Sequence, residues 1–320
     1  MTETNYPAPI TYIAEIKPNS NDKKASGFWN ELNQEQYDGL QSWKKILLQE
    51  KILENFDVYD DLYLLRFLRA RKFDLDKTTT MFKKFLNWRV TEKVDDIREN
   101  FDFSEVLEVK KVYPHGYHKT DKKGRLIYIE LLSKLNVSAL FKLTTEERMI
   151  KYYIKAYERQ MKLMFPACSA VVKTPVEQSC TILDLNGIGI TSLVGKTKSF
   201  IKLASDIGQD YYPEMLGIMF LLNTGFFFKA VWSLVKSFID PKTAGKIHML
   251  GSSYKDELYK WIDPENLPTV VGGKCSCPNI EGGCLFADIG PWNPNGGIQV
   301  GDKNTNKNST SSTVEQVISA

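Results

Sequence analysis

Histidine is the scarcest functional residue in this 320-residue chain, with only three copies. So few leave no nucleophile–base constellation, and Ser252-Ser253 lacks the strained turn motif that exposes a catalytic serine. No His/Glu cluster has metal-ligand spacing. Charge of one sign is also lacking. The 42 basic and 39 acidic residues leave a formal charge of +3, which argues against the strongly basic face of a nucleic-acid-binding protein but permits a local basic patch. No apolar run approaches the roughly 20 residues needed to span a bilayer. Residues 1–22 contain no apolar stretch of the secretory-signal kind. Cysteines number five. Cys168 and Cys180 sit in apolar contexts typical of buried thiols. With an odd count and no signal, the expected setting is reducing and cytosolic. Cys275-x-Cys277 and Cys284 make three ligands, but no partnering histidine or fourth cysteine follows them. The spacing is not that of a two-knuckle zinc site, so no metal is expected.

A phosphate loop is missing as well. Gly187-Ile188-Gly189-Ile190-Thr191-Ser192-Leu193-Val194-Gly195-Lys196-Thr197 has a Gly-Lys-Thr ending. The glycine whose neighbouring amides wrap the phosphates is displaced, because Ile190 stands where it belongs. Gly187-x-Gly189-x-x-Ser192 lacks the third glycine of the dinucleotide fingerprint. There is no internal repeat.

What the chain does contain is a helical beginning followed by alternation of strand and helix. Asn33-Gln34-Glu35-Gln36 resembles a capping box, and Leu40, Trp43, Leu47 and Leu48 follow at helical spacing. A second helix carries Leu62, Leu65 and Leu68, with Arg66 and Arg69 on a neighbouring face. Asp74 caps a third, with Met81, Phe82, Phe85, Leu86 and Trp88. Residues 28–92 therefore read as a helical unit after a loose segment, 1–27. Strands are expected at 125–131, 179–185, 217–223 and 246–250. A long helix opens at Thr144-Thr145-Glu146-Glu147 and stops before Pro166, with further helices at 198–207 and 254–262. The alternation implies βαβ units in a largely parallel sheet, hence an α/β fold. The domain is placed at 104–278, with an extension at 279–295. The Gly/Asn/Ser/Thr/Lys-rich stretch 296–320 reads as a disordered tail.

Several groups carry two readings each. The run 226–238 is almost wholly apolar and is closed by Asp240-Pro241. It is too short to cross a bilayer, so it is either buried or covers something greasy. Ser179, Thr181 and Leu183 share one strand face; the hydroxyls either bond neighbouring backbone or face a cavity. Tyr117, Tyr128 and Tyr157 come from three elements and are core residues or, if converged, an aromatic cage for a quaternary ammonium. Arg66, Arg69, Arg71 and Lys72 are a solvated helix face or a phosphate clamp. Thr243 and Lys246 are spaced so that one helical turn projects both the same way.

A resemblance joins these pieces. Leu64-Leu65-Arg66-Phe67-Leu68-Arg69-Ala70-Arg71-Lys72-Phe73 looks like the signature of the N-terminal helical unit of CRAL-TRIO lipid-transfer proteins. Tyr117-His118-Lys119-Thr120-Asp121, Pro166-Ala167-Cys168-Ser169, Tyr211-Tyr212-Pro213-Glu214, Leu250-Gly251-Ser252-Ser253-Tyr254, Gly272-Gly273-Lys274 and Asp288-Ile289-Gly290-Pro291-Trp292 continue it. Over about residues 28–295 the chain resembles the fungal-type phosphatidylinositol/phosphatidylcholine transfer branch of that family.

The resemblance implies an α/β domain with a lipid-sized cavity under a movable helical gate. The gate would hold Phe226, Phe227, Phe228, Val231, Trp232, Leu234, Val235 and Phe238, with Gly272 near its hinge. An inositol-phosphate head group would be held by Arg71, Lys72, Glu214, Thr243 and Lys246. A phosphocholine head group would be held by Tyr117, Tyr128, Tyr157, Ser179, Thr181 and Tyr212. Asn223-Thr224-Gly225 departs from the family's usual Ala-Pro after the asparagine, implying a looser hinge. The implied partners are phospholipids, a transient membrane surface and a phosphatidylinositol kinase, with no nucleic acid. The implied state is a cytoplasmic monomer that visits Golgi or endosomal membranes, with no cofactor beyond bound phospholipid and no catalysis. The competing readings are a lipid-bound sensor or adaptor of the same fold, with a sterol-, tocopherol- or retinoid-like ligand, and a nucleotide-dependent enzyme.

Overall fold

The computed structural model describes residues 16–187, 202, 206–225, 228, 232 and 241–298. The glycine run from 188 onward, most of the 198–207 helix, the greater part of the apolar run 226–238 and most of the tail lie outside those residues. The chain divides into two units, one drawn from Ile13–Asp96 and Ser205–Met215, the other from Ile97–Ala204 and Leu216–Ala320.

The helical unit is built from α1 (Gln34–Gln49), α2 (Asp61–Ala70) and α3 (Leu75–Thr91). Each start is fixed by a side chain that takes an otherwise orphaned amide. Asn33 and Gln36 form a reciprocal capping box on α1. Asp60 accepts from the Tyr63 amide, and Asp74 from the Lys77 amide. Their apolar faces bury Leu64, Leu65, Phe67, Leu68, Phe82 and Phe85 completely. The aromatic rings meet edge-on, as their quadrupoles favour, with Phe67 and Phe82 centroids 5.0 Å apart. Trp43 sits in this core because its indole N–H finds the Thr79 hydroxyl at 2.9 Å. The segment 205–215 joins the unit through Tyr211, stacked 4.0 Å from Trp88, and through the Lys84–Asp210 ion pair.

The second unit holds a five-stranded sheet in the order β1-β2-β3-β4-β5. The strands are β1 (His115–Thr120), β2 (Leu126–Leu131), β3 (Ser179–Asp184), β4 (Leu216–Leu222) and β5 (Ile247–Met249). β1 and β2 pair antiparallel and the other neighbours pair parallel. The largely parallel α/β expectation is met.

The two faces of this sheet differ. Alternation sends Ile127, Ile129, Leu131, Cys180, Ile182, Ile218, Phe220 and Leu222 to one side. There they form a dry core with Leu258 and Ile262, from α4 (Lys255–Trp261) and its C-cap, and with Leu267, Val271 and Leu285. The other face carries Tyr128, Glu130, Ser179 and Thr181.

The long helix does not stop before Pro166. It runs Glu146–Arg159, widens to a π-helical turn at Gln160–Met164, and continues as Phe165–Val172. Proline removes one amide and crowds the preceding turn. The wider turn absorbs that, with the Phe165 amide reaching back to the Gln160 carbonyl. The helix starts at Thr145, whose hydroxyl takes the Arg148 amide. Strand β1 and the short helices Val106–Val112 and Val137–Leu143 were not read from the sequence.

Candidate functional site

Strand register builds a polar row across one sheet face. Tyr117 of β1 lies opposite Tyr128 of β2. Tyr128 is level with Thr181 of β3, and Thr181 with Met219 of β4. The two tyrosine rings are 5.1 Å apart at 48°. Ser179 shares the Thr181 face one alternation earlier on β3. Tyr157 stands on the helix Glu146–Arg159, and its phenol is electrostatically coupled to Tyr117 and Glu130. The structure therefore brings together five of the six proposed choline-site residues. The sixth, Tyr212, belongs to the helical unit, where its buried ring meets Trp88 edge-on at 5.8 Å.

Burial and bonding distinguish this row from a core. Tyr117, Tyr128, Glu130, Tyr152, Tyr153 and Tyr157 are each only half-buried although the groups around them desolvate them strongly. A close-packed interior leaves no accessible surface; side chains on a cavity wall keep some. Thr181 is only 7% exposed, and among the described residues its hydroxyl has no protein hydrogen-bond partner. A buried polar group is ordinarily bonded, so this hydroxyl is available to a ligand or water.

The surrounding polar groups are held in place. Tyr113 donates to the Glu130 carboxylate at 2.6 Å and Tyr128 at 3.2 Å. Gln160 donates to the Tyr117 oxygen at 3.1 Å. His115 holds Nδ1 against the Tyr113 carbonyl at 2.7 Å and Nε2 against the Tyr152 hydroxyl at 2.9 Å. Arg159 grips Asp288 through two bonds of 3.0 and 2.6 Å.

Burial raises the Tyr117 and Tyr128 phenols far above their ordinary range and Tyr157 to about 12, so all three are neutral. Burial also raises Glu130, against the lowering pull of its two tyrosine donors. For His115 the result is a fall to about 3, from burial and then from the nearby Lys110 cation. Aromatic faces beside a buried carboxylate suit a quaternary ammonium. The Thr181 hydroxyl suits a phosphate oxygen.

Glu130, Tyr113, Tyr152, Tyr153, Gln160 and the Arg159–Asp288 pair were missed in the sequence. Glu130 had left a signal: it is the one charge in the strand Leu126-Ile127-Tyr128-Ile129-Glu130-Leu131, on the same face as Tyr128.

The inositol-site residues fall in both units. Arg71 caps the C-terminus of α2 and is half-buried, Lys72 is exposed with a φ of +53°, and Glu214 is half-buried with a φ of +60°. These three belong to the helical unit, where the Glu214 carbonyl accepts from Arg66 at 3.3 Å. Thr243 and Lys246 belong to the sheet unit. The Lys246 amide donates to the Thr243 carbonyl at 3.0 Å, and the Lys246 ammonium to the Leu216 carbonyl at 2.8 Å.

Of the gate residues, Phe228 and Trp232 are helical and half-buried. Phe226, Phe227, Val231, Leu234, Val235 and Phe238 lie outside the described residues. Gly272 closes a 3₁₀ turn at φ +89°, a conformation suited to glycine. Its carbonyl accepts from Tyr259 at 2.7 Å.

One sequence inference needs correction. The three C-terminal cysteines do have a histidine beside them: His118, from β1 upstream, which a downstream search does not meet.

Comparison with known proteins identifies the family. Residues 107–273 match the CRAL/TRIO domain and residues 23–84 the CRAL/TRIO N-terminal domain. The Sec14 cytosolic factor of Schizosaccharomyces pombe is 42% identical over 280 residues, covering 88% of this chain and 96% of that protein. The SEC14 cytosolic factor of Kluyveromyces lactis is 44% identical over 83% of this chain and 87% of its own. The phosphatidylinositol/phosphatidylcholine transfer protein SFH7 of Arabidopsis thaliana is 41% identical over 82% of this chain but 48% of its own length. The chain thus spans about half of such plant relatives. Among solved structures, Sfh5 shares the fold with a TM-score of 0.53 at 19% identity, over 70% of this chain and 82% of its own.

Proposed function

This chain belongs to the CRAL/TRIO family, and from that premise we propose that it binds and exchanges phosphatidylinositol and phosphatidylcholine between membranes. The observation that carries this reading is the row Tyr117–Tyr128–Thr181 across the sheet face, with the unpartnered Thr181 hydroxyl and the Glu130 carboxylate beside it. The phosphocholine group takes this wall, with Ser179 and Tyr157 beside it. In the sheet unit, Thr243 and Lys246 serve the inositol phosphate.

The physical task is to hide acyl chains. Exposing them to water costs about 0.8 kcal/mol per CH₂, and an apolar chamber offsets that cost, so exchange needs no nucleotide. The apolar run 226–238 acts as the gate, with Gly272 near its hinge: its phenylalanines enter the bilayer surface when it opens and cover the lipid when it closes. No helix among the described residues is long and apolar enough to cross a membrane. The protein works as a cytoplasmic monomer that visits Golgi or endosomal membranes and hands phosphatidylinositol to a lipid kinase. It carries out no catalytic step, and its only ligand in this cycle is the phospholipid.

Transfer of labelled lipids between vesicles tests the two-site reading. Thr181→Val removes a hydrogen bond to a charged group, worth about 1.5–3 kcal/mol or roughly ten- to a hundredfold in affinity. It should depress phosphatidylcholine transfer and spare phosphatidylinositol. Thr243→Ala with Lys246→Ala should do the reverse. Equal loss of both lipids in either variant would overturn separate head-group sites.

A further inference from the structure

We propose that His118, Cys275, Cys277 and Cys284 form a structural zinc site that ties the edge strand β1 to the C-terminal segment of the sheet unit. One ligand atom from each residue lies within a group no more than 4.8 Å across. The sulfurs of Cys275 and Cys277 are 3.8 Å apart and those of Cys277 and Cys284 3.4 Å apart, with His118 Nε2 3.3 Å from the Cys275 sulfur. Zinc in a tetrahedron, with bonds of about 2.3 Å to sulfur and about 2.0 Å to nitrogen, sets ligand edges of roughly 3.5–3.8 Å. The three short spacings lie within about 0.3 Å of those edges, and the widest separation in the group, at most 4.8 Å, needs only a small side-chain adjustment to close on an ion. A disulfide requires about 2.0 Å and would use two of the three thiols. An iron–sulfur cluster spreads its thiolates farther apart than one shared metal does. Three sulfurs with one imidazole nitrogen favour zinc among the common ions.

The histidine supplies an independent observation. His118 is wholly buried, and its Nδ1 has no hydrogen-bond partner. Its Nε2 lies 3.3 Å from the Cys275 sulfur. One weak contact to a thiol leaves this buried imidazole poorly satisfied, and the three sulfurs grouped around Nε2 give it the place of a metal ligand. The chain aims it there with a bulge. The β1–β2 register slips between Tyr117 and Thr120, and Lys119 takes a φ of +53°. Bulges re-aim side chains in this way.

The cysteine segment is folded to meet it. The Cys275 amide and carbonyl bond the Leu267 carbonyl and the Thr269 amide at 3.0 and 2.9 Å. Gly283 turns the chain at φ +67°, where an added Cβ would lie 3.2 Å from the Ser276 carbonyl. Cys284 then opens the short helix Cys284–Ala287, which lies on β1. His118 and Cys284 are buried, while Cys275 and Cys277 are partly exposed, leaving the ion a path in. The closed four-ligand set is that of a structural site, with no open position for catalysis.

The full chain should be purified under reducing conditions without chelator and its metal measured by mass spectrometry. About one zinc per chain is expected. The cobalt-substituted protein should show the visible absorption of tetrahedral thiolate coordination. Cys277→Ser with Cys284→Ser should abolish both signals and lower the melting temperature. Cys168→Ser, outside the cluster, should leave zinc content unchanged. The proposal is overturned if the reduced wild-type chain holds no zinc and takes up no cobalt, or if Cys168→Ser lowers zinc content as much as the double variant. The wild-type cobalt spectrum decides the matter even if the double variant fails to fold.

Discussion

Lowering the pH from 7.5 to 5 should remove about 2 kcal/mol of stability through His115 alone. The neutral ring is fixed in one tautomer: Nδ1–H donates to the Tyr113 carbonyl at 2.7 Å, so Nε2 accepts from the Tyr152 hydroxyl at 2.9 Å. An added proton would make Nε2 a donor and place a second cation near Lys110, whose ammonium sits on the His115 carbonyl at 2.7 Å. Burial and that cation take the folded value from 6.5 to about 3. The unfolded chain therefore binds this proton first. The contribution is complete above pH 6.5 and is lost as pH falls toward 3, at up to about 1.4 kcal/mol per unit. At pH 5 the deficit is about 1.5 units, hence about 2 kcal/mol.

Two neighbours must be separated from it. Glu130 acts in the opposite sense: its raised folded value means the fold holds the proton more tightly, adding stability as pH falls. Lys110, lowered to about 8 mainly by burial, has already incurred its cost below that pH and is flat across this window. The comparison is therefore with His115→Asn, whose amide N–H can still donate to the Tyr113 carbonyl but does not titrate. Equilibrium urea unfolding of both proteins at pH 7.5, 6.5, 5.5 and 5 gives the difference. The wild-type advantage should shrink by about 2 kcal/mol over that series. Parallel curves would refute the assignment.

Two further outcomes follow from particular contacts. Gly116→Ala would drive a methyl to 2.3 Å from the Leu285 carbonyl oxygen, backbone against backbone; it should cost about 2–3 kcal/mol, and an unchanged melting temperature would show that the Cys284–Ala287 helix does not press on β1. Glu130→Gln keeps the shape and an acceptor for Tyr113 while removing the negative charge; phosphatidylcholine transfer should fall relative to phosphatidylinositol transfer, and an unchanged ratio would remove Glu130 from the choline site.

The elements that were legible in the sequence are those whose signal is local. Asn33 and Asp74 announce helix starts because their side chains do the capping themselves. β2, β3 and β4 are runs rich in β-branched and apolar residues whose period matches a sheet. β1 was not legible, since His115-Gly116-Tyr117-His118-Lys119-Thr120 has no such period; its extended form comes from pairing with β2. Pro166 was read as a stop because proline forbids a regular α-turn, and a local pattern does not reveal the wider turn that carries the helix past it. The gathering of Tyr117, Tyr128 and Thr181 is a matter of register across three strands, which no single strand encodes. His118 is the extreme case: 157 positions separate it from the cysteine it faces.

The same register argues for reversible rather than permanent lipid binding. One side of the sheet closes on itself, with isoleucines, Phe220 and Leu258 all wholly or nearly wholly buried. It needs nothing else to be stable. The opposite side keeps its charge low when no cation is present: burial holds the phenols neutral and biases Glu130 toward its protonated form. An isolated buried charge is costly, so that bias keeps an empty wall tolerable. A quaternary ammonium arriving against the tyrosine faces reverses the balance, since a nearby cation favours the ionised carboxylate. The Glu130 carboxylate can then pair with the head group. A lipid whose head group has no cation gains nothing there. Discrimination would thus come from one carboxylate set among neutral phenols, and it requires the phenol faces as much as the acid itself.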